Sequence, residues 1–394
     1  MHSDAPLLTP SAFESVQLID HHCHGVVEHQ LARPEFESMM TESNWDAPAG
    51  TTVFDSQLGT AIRRWCAPLL DLDPHVSAER YLERRAELAP SEVNARLLRG
   101  AGIDRYLIET GYRGDDILSP QGMADRAGAT ADAVVRLERL AEQLAPQLQS
   151  ATDYAESFRA QLRTELTTAV GVKTIAAYRL GLDFNPVRPT DAEVAAAAAG
   201  WLREIEGGAE PRLDDAVLIR FGIWCAVDEQ QAIQFHIGFG DPDVDLHRCD
   251  PLLLTEWLRL TRESGARVLL LHCYPFHRNA GYLAHAFPHV YCDVGLAINY
   301  VGARAPQIIA ESLELTPFDK ALFSSDAFGL AELYLLGAHL FRRGLLRVIN
   351  EWIGAGEWDA ATGEALIRKI CADNAVRAYQ LDERPRFVMA GATS

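Results

Sequence analysis

Short apolar runs that end in a polar or ionisable residue recur along the chain, and they limit its fold more than any other feature. They cover residues 16–20, 105–109, 168–176, 232–236, 268–272, 290–293 and 321–326. Runs of this length without strict alternation read as strands buried on both faces, the pattern of a parallel sheet. Helical stretches lie between them. Thr190, Asp191, Ala192 and Glu193 form a capping-box pattern ahead of an Ala-rich segment that ends at Gly207 and Gly208. Residues 124–148, 153–166 and 251–264 also carry helical periodicity, and 364–381 reads as a closing helix. Strand and helix alternate, so the class is α/β.

A length of 394 residues suits one large barrel with insertions, or two ordinary domains. No Pro/Gly-rich linker marks a second domain, so residues 1–394 are read as a single unit. Two stretches exceed an ordinary strand-to-helix connection. Residues 186–212 are one. Residues 25–99, which contain Trp45 and Trp65, are the other. In a barrel the segments that follow strands lie on the catalytic face. The longer stretch is therefore expected to be a largely helical insertion, acting as a lid or an oligomer contact, or else an elaboration away from the substrate.

The formal net charge of -19 disfavours nucleic acid and anionic membrane surfaces as partners. A small anionic substrate stays compatible with it, because local arginines can reverse the sign inside a pocket. The seven cysteines are odd in number and include no CxxC pair, and Cys23, Cys273 and Cys292 lie within apolar runs. No disulfide framework is implied, and a reducing cytoplasm is the expected location. Residues 1–10 show no basic region followed by an apolar core, and the apolar runs are far shorter than the ~20 residues that span a bilayer.

The strongest local signal is Asp20-His21-His22-Cys23-His24, at the end of the first run. Side chains alternate along a strand, so His22 and His24 are expected on one face and His21 and Cys23 on the other. Further along, His236 ends a strand, His272 ends another 36 residues later, and Asp326 ends a third after 54 more. One strand–helix unit of a barrel takes about 30 residues. A single histidine at such a position is ordinarily a hydrogen-bonded core residue. Several at strand ends with barrel spacing converge on one point, where imidazoles and a carboxylate suit Zn2+ or a similar divalent ion.

In these residues the chain resembles the amidohydrolase superfamily, and more narrowly the amidohydrolase-related branch that includes the N-terminal domains of FluG-type proteins. The resemblance also rests on residues 171–179, 234–241, His272-Cys273-Tyr274-Pro275, Ser324-Ser325-Asp326 and 374–379. It implies a distorted (β/α)8 barrel of the metal-dependent hydrolase type. His22, His24, His236, His272 and Asp326 would be metal ligands, with Asp326 and His272 catalytic. Zn2+ is the implied ion, with Mn2+ or Fe2+ as alternatives, in one or two copies. Lys173 is either a carboxylated ligand that bridges two ions or an ammonium that binds substrate or orients a hydrogen bond. Tyr178, Arg179, Arg113, Tyr274, His277 and Arg278 are candidates to recognise substrate, since arginine is the natural partner of a carboxylate. Asp241 is a candidate to fix an imidazole tautomer. A homo-oligomer is the implied assembly.

Three functions compete. The first is hydrolysis of a C–N bond, an amide or γ-glutamyl-like linkage, in a small carboxylate-bearing substrate. The second is non-oxidative decarboxylation of a small carboxylic acid. The third is a barrel that has lost its chemistry, against which the intact ligand set argues. The chain has neither a GxGxxG after an early strand nor a GxxxxGK[ST], which disfavours dinucleotide-binding and P-loop enzymes.

Overall fold

The apolar runs become a parallel sheet because both of their faces are covered. The computed structural model describes residues 6–383. Its strands are β1 (Ile19–Cys23), β2 (Arg105–Glu109), β3 (Thr130–Arg136), β4 (Gly171–Thr174), β5 (Ala232–His236), β6 (Arg267–Leu271) and β7 (Val290–Cys292). Each pairs in parallel with the next, in the order β1 to β7. The segment after β7 makes ladder bonds on both sides. Leu322 donates to Cys292 O at 3.0 Å, while His21 and Asp326 bond with Phe323 O and His22 O at 3.1 Å. It thereby joins β7 to β1 and closes the barrel, although only Ala321 within it forms a regular bridge. The expected strand over 321–326 is thus an irregular one.

Ile19, Leu107, Val134, Ala232, Leu269, Tyr291 and Leu322 form one apolar cluster with Ala375, Ala378 and Tyr379. Two larger clusters lie between the strands and the surrounding helices. The helices used below are α1 (Arg33–Ser38), α2 (Ala78–Glu87), α3 (Pro90–Ala101), α4 (Asp191–Glu206), α5 (His277–Ala286), α6 (Ala331–Gly354) and α7 (Asn374–Tyr379). The capping box at Thr190 and Glu193 forms at the start of α4. Between β1 and β2 the chain is largely helical, and α2 is tied to α6 by a buried ion pair. Arg85 Nε and the Tyr81 hydroxyl both donate to Glu332 Oε1, at 2.8 and 2.9 Å.

Two local expectations are corrected. Residues 124–148 are not one helix, because β3 runs through them. Its five register partners on β2 outweigh the helix-forming Ala, Leu and Glu on either side. His21 also does not face away from His22. The register of β1 on β2 shifts between Asp20 and Cys23, and such a bulge breaks strict alternation. His21 bonds with the Tyr379 hydroxyl at 2.9 Å and with Asp293 at 3.0 Å.

Candidate metal centre

The shifted strand end delivers His22 and His24 to the point where the other strands finish. His22 Nε2 lies 2.9 Å from Asp326 Oδ1, and His24 Nε2 lies 3.9 Å from the same oxygen. The candidate ligand atoms of His22, His24 and Asp326 all fall within 4.8 Å of one another. His272 Nδ1 is 3.4 Å from Asp326 Oδ2. The His236 ring stands 5.0 Å from that of His272, and the Tyr178 ring 4.4 Å from that of His236. Lys173, on β4, places Nζ 2.9 Å from His22 Nε2.

Burial sets the charge states. It pushes His22, His236 and His272 well below the usual imidazole range, and brings His24 down to about 3. These rings stay neutral and keep a lone pair for a cation. Burial also lowers Lys173 and raises Asp326, each opposed by the charge of the other. His22 Nδ1, His236 Nε2 and both ring nitrogens of His272 are buried without a hydrogen-bond partner. Neutral imidazoles with orphaned nitrogens beside a carboxylate are the donor set a divalent ion requires, so the residues fit the implied metal.

A supporting layer holds these groups. Asp293 Oδ1 accepts from the amides of His272 (3.1 Å) and Gly295 (2.7 Å) and from the Ser324 hydroxyl (2.8 Å), while Oδ2 meets His21. Asp20 accepts from the Ser325 amide at 2.9 Å and from its hydroxyl. Burial raises Asp20 to about 7 against those bonds. Glu109, at the end of β2, lies 3.5 Å from His24 Nδ1 and pairs on its other side with Arg136, which ends β3.

A cavity of about 790 Å3 opens over this cluster. Its walls include His24, Lys173, His236, His272 and Asp326 among the expected metal-site residues, and Arg113, Tyr178 and Arg179 among the expected substrate residues. Residues of α1 and of the loop after it, among them Glu42 and Trp45, complete the wall. Three expected substrate residues lie elsewhere. The chain leaves β6 in a left-handed turn at His272 and Cys273. It carries Tyr274 against Phe239, and His277 and Arg278 to Glu311 on the neighbouring helix and Glu314 in the turn after it. Asp241 reaches the cavity and accepts from the Asp243 amide at 2.9 Å. Sequence reasoning missed Glu109, Arg136, Arg212, Glu42 and Asn299. Glu109 carried a usable signal, since it ends a strand as His236 does.

Fold and site together define a class, a (β/α)8 barrel of the metal-dependent hydrolase type. The chain belongs to the amidohydrolase family, whose profile matches residues 71–381. It is 31% identical over 228 residues to Protein fluG of Emericella nidulans, a match covering 55% of this chain and 26% of that protein. The chain therefore spans about a quarter of that relative's length. A crystal structure from Lactobacillus casei ATCC 334, of a protein assigned as a metal-dependent hydrolase, superposes with a TM-score of 0.83. It is 28% identical, with 97% of this chain and 100% of that one covered. Glucuronate isomerase from Caulobacter crescentus shares the fold at a TM-score of 0.63 and 14% identity, over 95% of this chain and 94% of that one.

Proposed function

We propose that this protein hydrolyses a C–N bond, an amide or γ-glutamyl-like linkage, in a small carboxylate-bearing substrate. The carrying observation is the gathering of His22, His24 and Asp326 within 4.8 Å beneath a cavity of small-molecule size. These three residues would hold one divalent ion, with Zn2+ best suited to the donor set, and His236 and His272 would be further candidate ligands. When bound, such an ion polarises a carbonyl and lowers the pKa of water toward ~7.

The chain's own groups do the rest. Asp326 accepts the proton of the attacking water and hands it to the departing nitrogen. His272, 3.4 Å from the Asp326 carboxylate, steadies it between these two transfers. Tyr178, Arg179 and Arg113 hold the substrate from the cavity wall. Lys173 reaches the same cluster and would carry a second ion if carboxylated. We take one ion, because His22, His24 and Asp326 are the residues that gather among those described. The insertion between β1 and β2 serves as a lid, supported by its lining of the cavity. We further read the enzyme as a cytoplasmic homo-oligomer. Seven free, buried thiols support a reducing compartment, and no helix among the described residues is long and apolar enough to cross a membrane.

Product analysis tests the reaction. Metal-replete protein is incubated with a panel of N-acyl and γ-glutamyl amino acids and a panel of small carboxylic acids. Release of an amine or ammonia supports hydrolysis. Carbon dioxide would replace it with decarboxylation, and turnover of neither panel would leave a non-catalytic barrel.

A further inference from the structure

The cavity arginines differ in how they are paired. Arg113 meets Asp116 at 2.9 Å, and Arg33 meets Glu37 and Glu79 at 2.7 and 2.9 Å. Arg179 stands apart. Its side chain is 9% exposed, its Nη2 donates to Glu142 at 3.2 Å, and its Nε and Nη1 have no hydrogen-bond partner. Arg136 lines the same cavity, with Nη2 donating to Glu109 and Nε unpartnered. Arg212, contributed by the excursion after β4, also lines it. Burial and the charges of Arg212 and Arg136 lower the pKa of Arg179, with Glu142 opposing.

A buried cation with two donor nitrogens lacking acceptors is unfavourable, and like charges nearby make it more so. An anion that reaches these nitrogens would remove both penalties. Glu109 and Glu142 pair with Arg136 and Arg179, and Glu138 acts on both, so the group carries little excess positive charge and suits a carboxylate better than a phosphate dianion. The arginine fork also fits a planar pair of oxygens.

We propose that Arg179, flanked by Arg136 and Arg212, is a carboxylate-binding subsite that holds the substrate while its scissile bond lies at His22, His24 and Asp326. The position of the scissile bond rests on the hydrolase reading; the anion subsite does not. Arg179 is then the specificity determinant, and a neutral analogue of the substrate is rejected.

The test is calorimetric titration of the protein as purified with succinate, its neutral diamide succinamide, and inorganic phosphate. Succinate should bind at least tenfold more tightly than either of the others. Arg179→Gln should weaken succinate at least tenfold. Arg179→Lys, which keeps the charge and loses the fork, should fall between Gln and wild type, and it is read in place of Gln if that variant does not fold. Arg278→Gln, at an exposed arginine paired with Glu314, should leave binding unchanged. Equal succinate affinity in the wild type and in the folded Arg179 variants overturns the subsite, as does tighter binding of phosphate or no binding of succinate. Amine release and its dependence on Asp326 judge the hydrolase reading separately, so either idea can fail alone.

Discussion

Asp326 and His272 sit in backbone conformations that side chains rarely adopt, with φ of 49° and 65°. Such residues cost about 1–3 kcal/mol each and persist where surrounding bonds hold them. Here the Asp326 amide bonds to His22 O and the His272 amide to Asp293, both at 3.1 Å. The strain aims both side chains at the cluster. Asp326→Asn keeps the shape and loses the proposed proton acceptor, so kcat should fall by about 10^2 to 10^4 while far-ultraviolet circular dichroism is unchanged. Gly240 has a different constraint, since a Cβ there would meet the Tyr178 hydroxyl and crowd His236 Nε2. Gly240→Ala should lower kcat/KM by roughly tenfold or more through misplacement of these rings, measured on the substrate that product analysis finds. His289 tests charge away from the site. Burial and the nearby Lys320 and Arg262 bring it down to about 4. The unfolded chain takes up that proton near pH ~6.5 and the folded chain does not. Its stabilising effect is therefore present above that pH and lost as pH falls toward 4, by about 2–3 kcal/mol. Urea midpoints at pH 7 and 4.5 should converge in His289→Asn relative to wild type. The histidines and Asp326 were legible because each ends an apolar run. Arg136 is not, because the residues around its strand have a helix-forming composition.

Elements were legible where pairing and periodicity agree. β2 and β5 have the bounds that their apolar runs predict. β3 was hidden because four of its seven residues are only partly covered and its composition suits a helix. What selects the strand is its pairing with β2, which local sequence does not display. The long insertion shows a related limit. Its helical character is visible in sequence, whereas the contact that anchors it is not. Arg85 on α2 and Glu332 on α6 are 4% and 0% exposed and lie 247 residues apart. Removing one partner of such a pair leaves an uncompensated charge and costs about 3–5 kcal/mol. Arg85→Met should lower stability by that amount in guanidinium unfolding. The double variant Arg85→Met, Glu332→Gln should recover most of the loss. A single variant within 1 kcal/mol of wild type, on the scale of surface pairs, would contradict the anchoring role.

At the scale of the molecule, seven strands in sequence order and a closing segment bring residues 22 and 326 into contact across the whole chain. The chain carries a net charge of -19, and five arginines line its cavity beside acidic residues such as Glu42 and Asp241. Family and barrel were legible from motif order, whereas the cavity wall was not, because its residues come from segments without a shared pattern. An ion held by His22 and His24 at the end of β1 and by Asp326 in the closing segment would bind the folded chain alone, and should therefore stabilise it. At 100 times Kd the gain is about 2.7 kcal/mol. Chelator treatment should lower Tm and added Zn2+ restore it. The most direct measurement is metal content by mass spectrometry of the purified protein beside the double variant His22→Ala, His24→Ala. One equivalent of a divalent transition metal in the wild type, absent from the folded variant, is the predicted result. A wild type that stays metal-free after reconstitution, or a variant that keeps the metal, would contradict the metal centre.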